Sequence, residues 1–251
     1  METALLLRNA LDIGEALLRN GAEVYRVEDS VQRVLKAYGA ARVDVFTIPS
    51  LIAATLEMEG EPPVTQTRRI LQTATDFDAL TRLNALCRDV CREKPAPDEI
   101  AARLKLILSR PSYSPAALLA MYMVVSFAFT VFFGGSWADA AASAVGGALL
   151  FLVVRGMKKL GISMVFTHLG GAAVAAASAL MMVKFGVGQH LDKIVIGNIM
   201  LLIPGIELTN GMRDLFSGDI LAGLLHIGEA VFLAMVIALG AAYILSLGGA
   251  A

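Results

Sequence analysis

Charged side chains are distributed very unevenly along this 251-residue chain. Residues 1–110 hold 31 of the 43 charged side chains, and the longer segment 111–251 holds only 12. The mean hydropathy of +0.67 and the hydrophobic content of 57% also exceed those of ordinary soluble domains. A long segment with few charges favours a lipid environment. We therefore predict a small cytoplasmic α+β domain over residues 1–110 and a transmembrane domain over residues 111–251.

The first 110 residues carry the patterns of helices and of short strands. Apolar residues at helical spacing predict two amphipathic helices, which end near Gly21 and Gly39. Runs rich in β-branched residues predict a small antiparallel sheet with strands at 42–48, 51–58 and 64–70. Asp76 and Asp98 are the expected N-caps of two further helices. The charged residues of the second helix are interpreted as a solvated face: Glu23, Arg26, Glu28, Asp29 and Arg33.

Several classes of protein are disfavoured by composition and motifs. The charge is nearly balanced, which argues against a nucleic-acid partner. The first 21 residues break their leucines with charges and lack the apolar core of a secretory signal. Cys87 and Cys91 lie one helical turn apart, but residues 1–110 contain no histidine, so neither a metal site nor a cofactor is expected. No HExxH or GxSxG motif is present, so we do not expect an enzyme.

Five apolar segments follow, and each approaches the roughly 20 residues that cross a bilayer. They lie at 116–133, 138–154, 162–183, 191–208 and 220–247. Lys and Arg concentrate in alternate connections, so the positive-inside rule places the first domain in the cytoplasm and the carboxyl terminus outside a bacterial inner membrane. Small residues dominate 140–148 and 170–179, which predicts closely packed helices. Five helices make an incomplete transporter, so we expect a homo-oligomer or a second membrane subunit.

The fourth apolar segment is interrupted before it is long enough to cross. Proline removes a backbone donor and glycine loosens the turn that follows, so the helix should break at Pro204 and Gly205. Interrupted spans beside polar side chains are typical of transport sites. The polar residues beyond the break are candidates for substrate binding or gating: Asn210, Arg213, Asp214 and Asp219. The alternative is a cytoplasmic loop that begins with Pro-Gly.

Polar side chains in or beside the apolar segments allow two interpretations each. Asn198 either bridges helices or binds substrate. Arg213 either anchors a substrate carboxylate or forms an ion pair with Asp214. Glu229, with His226 one turn before it, is predicted to couple transport to protons, because an ionised group in a membrane span usually faces a cavity or a partner. Its alternative is a neutral carboxyl group that only packs.

Four phrases of the sequence resemble the threonine/serine exporter family: GEALLRNGAEVYRVEDSVQRV at 14–34, VFTIPS at 45–50, GGSWADA at 134–140 and IPGIELTNGMRDLFSGD at 203–219. With five spans, the chain is similar to the larger component of a split, two-subunit exporter whose partner is a smaller membrane protein. The resemblance implies gradient-driven export of threonine, serine or succinate. It places Pro204, Gly205 and the polar residues after them in the family's signature phrase, with Glu229 at its acidic position. Glu207 departs from that phrase.

The sequence therefore predicts one subunit of a secondary exporter that moves small polar metabolites out of the cell with the proton gradient. Arg213 suits any carboxylate, so an amino acid and a dicarboxylate remain equally acceptable substrates. A second function stays open, namely a membrane-anchored sensing or regulatory protein that transports nothing itself.

Overall fold

The computed structural model describes residues 3–71, 74–110 and 113–249. The chain divides into two compact units. The first contains Met1–Ser112 together with Glu207–Ile227, and the second contains Tyr113–Ile206 together with Gly228–Ala251. The first unit thus includes a segment far beyond the predicted domain 1–110. The predicted boundary adjoins residues 111 and 112, which lie outside the described residues, and the two-domain division stays a prediction.

Within the described residues up to 110, the first unit contains four helices and one sheet, as an α+β domain requires. They are α1 (Thr3–Arg19), α2 (Val24–Ala37), β1 (Arg42–Ile48), β2 (Leu51–Glu57), β3 (Val64–Arg69), α3 (Phe77–Glu93) and α4 (Pro97–Leu108). The strands lie within a residue of their predicted positions and form an antiparallel sheet in the order β1-β2-β3. The register places Val45 opposite Ala54 and Ala54 opposite Gln66. Ile52, Ala54 and Leu56 of the central strand are buried in the core of this unit.

One of the two predicted helix caps is confirmed. The Asp76 carboxylate accepts hydrogen bonds from the backbone N–H groups of Asp78 and Ala79, at 3.1 and 2.9 Å, at the start of α3. The prediction for Asp98 is wrong, because α4 begins at Pro97 and its N-cap is Ala96. Proline suits the first helical position, where its missing N–H would have no partner and its φ is already helical. Asp98 therefore lies inside the first turn, where its charge faces the positive end of the helix dipole.

Four helices of the chain are long and apolar enough to cross a membrane among the residues that the structure describes. They are Pro115–Phe132, Trp137–Lys159, Met164–Lys184 and Ile220–Gly248. We number the helices after α4 as α5 (Pro115–Phe132), α6 (Trp137–Lys159), α7 (Met164–Lys184), α8 (Leu191–Ile199), α9 (Gly205–Ser217) and α10 (Ile220–Gly249). The chain is mostly helical, and a bundle of five spans is not confirmed.

The predicted fourth span is two short helices. Helix α8 has nine residues and ends at Ile199, and α9 begins at Gly205 after a break that contains Pro204. The predicted interruption is therefore confirmed, although it prevents the segment from counting as a span. The boundary between the two compact units also falls near this break, because α9 from Glu207 onward belongs to the first unit and α8 belongs to the second.

Small residues allow the helices of the second unit to pack closely, as predicted. Ala142, Ser143, Gly146 and Gly147 all lie on the buried side of α6. An added Cβ at Gly240 of α10 would lie 2.5 Å from the carbonyl oxygen of Leu169 in α7. Close backbone approach of this kind replaces the burial of large side chains as the main source of packing between membrane helices.

Candidate functional site

The polar residues of α9 face the turn between α1 and α2 within the first unit. The amide of Asn210 donates a hydrogen bond to the carbonyl oxygen of Gly21 at 3.2 Å, and the Arg213 guanidinium forms an ion pair with Glu23. We call the whole group the Asp214 cluster. It consists of Glu23, Arg26, Glu28, Asn210, Arg213, Asp214, Asp219 and His226.

Asp214 is the centre of this cluster. Its side chain is fully buried, and its Oδ1 accepts the backbone N–H of Val24 at 3.3 Å. Val24 is the first residue of α2, whose N-cap Glu23 makes no capping hydrogen bond with its own side chain. Asp214 therefore caps α2 from another helix, and its charge faces the positive end of the helix dipole. Its other oxygen, Oδ2, lies 2.9 Å from Nδ1 of His226 in α10.

Carboxylates outnumber arginines in the Asp214 cluster. Glu23 is buried, and although burial favours its neutral form, the hydrogen bond from Arg213 and the nearby charge of Arg26 lower its pKa below the ordinary value. Burial raises the pKa of Glu28, with repulsion from Asp219 and Asp214 acting in the same direction, while its carboxylate accepts the Thr47 N–H at 2.6 Å. The cluster therefore contains one carboxylate held ionised and another that retains its proton to a higher pH.

Asp219 is the second carboxyl group whose pKa is raised, by burial and by the neighbouring charge of Asp214. It follows Gly218, whose φ of +94° closes the turn between α9 and α10. Only glycine adopts that backbone conformation without strain. Glu28 and Asp219 are thus the two carboxyl groups of the cluster whose neutral forms are favoured by their surroundings.

The raised pKa of Glu28 gives a pH-dependent prediction for Glu28→Gln. A carboxyl group whose pKa is raised by folding contributes fully to the stability of the folded state when the pH is below the group's unfolded pKa. This contribution is lost as the pH rises through the pKa that the group has in the folded state. We expect the glutamine variant, which still accepts the Thr47 N–H, to match the wild type near pH 4. At pH 7.5 the glutamine variant should be more stable than the wild type. Thermal unfolding of the purified protein at both pH values measures this, and equal differences at the two values would contradict it.

The opposite face of α9 is apolar and exposed. Leu208, Met212 and Phe216 recur every four residues along it, with 46%, 43% and 82% of their surfaces exposed. This arrangement differs from that of a helix on a soluble protein, because the Asp214 side chain is buried while three large apolar residues face outward. The apolar stripe of α9 is therefore a surface that suits lipid or another apolar helix.

Two interpretations from the sequence are corrected by this cluster. Arg213 pairs with Glu23, and not with Asp214 as one of its two alternatives had it. Glu23 and Glu28 do not belong to a solvated face, because Glu23 is only 4% exposed and Glu28 is half-buried. Only the outer members of that face are solvated, as in the exposed pair between Asp29 and Arg33.

Asn198 lies in a second polar group, inside the second unit. We call this group the Asn198 core. It consists of Ser126 and Thr130 of α5, Ser143 of α6 and Asn198 of α8, all fully buried. The Ser143 hydroxyl lies 3.1 Å from Oδ1 of Asn198 and 3.2 Å from the carbonyl oxygen of Ser126. The predicted bridging role of Asn198 thus has a geometric basis, because three helices meet at these side chains.

The structure does not bring the other candidates together. Glu229 lies on the exposed side of α10 and makes no hydrogen bond or ion pair among the described residues, whereas His226 contacts Asp214. Pro204 is buried at the break and Gly205 begins α9. These positions leave the predicted substrate and proton-coupling roles as predictions.

Sequence reasoning missed the role of Asp139. Its carboxylate is fully buried and forms a capping box with Ser136 at the start of α6. It also accepts the backbone N–H groups of Gln189 and His190, at 2.6 and 3.0 Å, and contacts Nδ1 of His190 at 2.8 Å. Asp139 therefore fixes the loop before α8 to the start of α6.

Comparisons with known proteins identify the family. The family described as "Putative threonine/serine exporter" matches residues 8–248, which is nearly the whole chain. The chain belongs to the threonine/serine exporter family. A protein of Mycobacterium tuberculosis named "Probable threonine/serine exporter" is 27% identical over 243 residues, which cover 96% of this chain and 46% of that protein. "Uncharacterized protein C16A10.01" of Schizosaccharomyces pombe is 23% identical over 249 residues, 92% of this chain and 28% of that protein.

The chain spans less than half the length of the curated relatives that it matches. No solved structure matches it. As a member of the threonine/serine exporter family with four apolar helices, the chain is a multi-pass membrane protein.

Proposed function

We propose that this chain is one subunit of a secondary exporter that moves small polar metabolites out of the cell. The observation that carries the proposal is the family match over residues 8–248 of a chain with four membrane-type helices. The substrates are amino acids of the threonine and serine type or dicarboxylates of the succinate type. We place the exporter in a bacterial inner membrane, with the amino-terminal residues in the cytoplasm and the carboxyl terminus outside.

The exporter is completed by a smaller membrane subunit of the same superfamily, and this chain is its larger component. One observation supports this arrangement. Glu229 lies exposed on a membrane helix without a partner among the described residues. An ionised group in that position is costly, at about 2.5–3.5 kcal/mol on insertion scales, unless a partner or a wet cavity receives it. A homo-oligomer is the other arrangement that would cover it.

The proton gradient drives export through carboxyl groups of this chain. Glu229 is one proton carrier in this proposal, since a carboxyl group at membrane depth binds and releases protons as its environment changes. The Asp214 cluster, which includes residues of α9 and α10, supports proton coupling at a second position. It combines the contact between His226 and Asp214 with two carboxyl groups whose pKa is raised, Glu28 and Asp219.

A sensing protein without transport activity is the second candidate. It is favoured by the contacts of Asn210, Arg213 and Asp214, because these signature residues join the α1–α2 turn and not a visible passage. The two candidates differ in which changes abolish function. A sensor tolerates Glu229→Gln and fails when the α1–α2 turn is altered, whereas an exporter fails with Glu229→Gln.

Transport is tested in proteoliposomes loaded with threonine, serine or succinate, with and without the smaller subunit, under an imposed proton gradient. We expect gradient-driven release of at least one solute, and we expect Glu229→Gln to reduce it at least about tenfold while the protein remains inserted. Glu59→Gln is the matched control, because Glu59 is exposed in the turn between β2 and β3 and lies outside the membrane helices. Equal release by both variants would contradict the role of Glu229, and no release of any solute would contradict the exporter.

A further inference from the structure

The apolar stripe of α9 is followed, directly after the turn, by exposed apolar residues of α10 that belong to the same unit. The turn is tight, because the Asp219 N–H donates to the Asp214 carbonyl oxygen at 2.9 Å. Ile220, Leu221 and Leu224 then expose more than half of their surfaces. Two adjoining helices thus present large apolar side chains on the outside of the first unit. We call this set the α9–α10 surface: Leu208, Met212, Phe216, Ile220, Leu221 and Leu224.

Small residues lie where α9 and α10 meet. An added Cβ at Gly211 would lie 2.8 Å from the Ile227 side chain and 3.1 Å from the carbonyl oxygen of Gly223. An added Cβ at Gly223 would lie 2.6 Å from the Leu215 side chain and 2.8 Å from the carbonyl oxygen of Gly211. Backbones that approach this closely are typical of helices that associate in a membrane. Helix α9 and the start of α10 therefore form one packed hairpin with its large side chains outside.

The charged residues near the end of α9 are bound on its other face. Arg213 pairs with Glu23, and the Asp214 carboxylate is fully buried. The stripe itself carries no charged group that requires water. A continuous apolar surface on the outside of a protein marks contact with a membrane or with another protein.

The composition of the α9–α10 surface selects lipid as its partner. Contacts between helices within a membrane use small residues, which allow the backbones to approach. The surface contains only large side chains, and the hairpin uses Gly211 and Gly223 for its own internal contact. The surface is also continuous along the chain with α10, a membrane-type helix whose exposed residues include Val231, Phe232 and Met235.

The length and composition of α9 place it along the membrane surface. Its 13 residues span about 20 Å at 1.5 Å per residue, whereas the hydrocarbon core of a bilayer is about 30 Å thick. The four membrane-type helices of the described residues do not include it. A helix with one polar and one apolar face lies in the plane of the interface, with its apolar side about 5–10 Å deep.

We propose that α9 is an interfacial helix whose apolar stripe inserts into the surface of the lipid bilayer. The hydrogen bonds and the ion pair on its other face then hold the α1–α2 turn at that surface. The partner is the apolar boundary of the bilayer and not an anionic headgroup, because Arg213, the one basic residue of α9, already pairs with Glu23. The inference does not depend on which solute the chain moves.

Tryptophan fluorescence measures the depth of the stripe in the bilayer. The chain has one tryptophan, Trp137, so Trp137→Phe gives a background without a reporter. Phe216→Trp and Met212→Trp are introduced separately into the full chain. Each variant is placed in phosphatidylcholine bilayers brominated either near the headgroup or near the end of the acyl chain, with acrylamide as the quencher in water. We expect shallow bromines to quench both reporters at least about twofold more than deep bromines do.

Two reporters in the same background calibrate the measurement. Phe46→Trp is the matched control, because Phe46 is also an exposed aromatic residue of the first unit but shares its strand face with the exposed pair of Arg42 and Asp44. We expect acrylamide to quench it more than the stripe reporters and the bromines to have no effect. Met235→Trp, exposed in the middle of α10, marks a deep position that deep bromines should quench most.

The remaining outcomes for the two stripe reporters all overturn the proposal. Quenching by acrylamide alone would place the stripe in water. Protection from both kinds of quencher would mean that protein covers the stripe, either a second copy of the chain or the smaller subunit. Quenching that matches Met235→Trp would make α9 part of a crossing. Bilayers that contain phosphatidylglycerol should give the same ratio of shallow to deep quenching, and insertion only in those bilayers would contradict the apolar boundary as the partner.

Discussion

Asp214→Ala is expected to destabilise the first unit by about 3–5 kcal/mol, because two buried hydrogen-bonding partners of a carboxylate are lost at about 1.5–3 kcal/mol each. Three interactions are lost together. The first N–H of α2 loses its acceptor, His226 loses the contact at its Nδ1, and the helix dipole loses a facing charge. For a chain of this size the loss corresponds to a fall in the unfolding temperature on the order of 10 °C. Thermal unfolding in detergent, followed by circular dichroism, measures it.

Asp214→Asn and Asp29→Ala are the controls for this prediction. Asparagine keeps an oxygen that accepts the Val24 N–H but removes the charge, so its effect should lie between the wild type and alanine. Asp29 is exposed and pairs with Arg33 one turn away on α2, and such pairs contribute about 0–1 kcal/mol. If Asp214→Ala unfolds at the same temperature as Asp29→Ala, then Asp214 does not hold α9 to α2.

The prediction for Asp214 depends on a contact that the sequence alone could not reveal. The strands, the helix that follows Asp76 and the break at Pro204 were predictable, because each depends on a few neighbouring residues. Hydrophobic periodicity and proline act locally. The contact between Asp214 and Val24 joins residues that are 190 positions apart. No local pattern of residues encodes such a pairing.

Burial of charge explains the errors at Glu23 and Arg213. Charged residues on an amphipathic helix are usually solvated, and that general rule predicted Glu23 to be exposed. It fails here because α9 brings Arg213 onto the start of α2 and so supplies the opposite charge that burial requires. The sequence offered Asp214 as an ion-pair partner for Arg213, because the two residues are adjacent in the chain. The same limit applies to the Asn198 core, where the close helices could be predicted from small residues but the meeting of its polar side chains could not.

Close packing around the Asn198 core leads to the other large effect, which is expected for Gly197→Ala. The new methyl group would overlap the Thr130 hydroxyl and lie 3.0 Å from both the Ser126 carbonyl oxygen and the Ser143 hydroxyl. Overpacking of a tight core costs about 1–3 kcal/mol and occasionally more. We expect the upper end of that range, because a backbone oxygen cannot move aside without displacing α5 as a whole.

Two variants serve as controls for this prediction, namely Gly156→Ala and the double variant that combines Gly197→Ala with Thr130→Ala. An added Cβ at Gly156, also within a membrane helix, meets nothing within 4 Å, so alanine there should be neutral or stabilising by about 0.5–1 kcal/mol. Adding Thr130→Ala to Gly197→Ala removes the closest overlap and should restore part of the lost stability, as a double-mutant cycle would show. Additive losses in that cycle would mean that α8 and α5 are not in contact at Gly197.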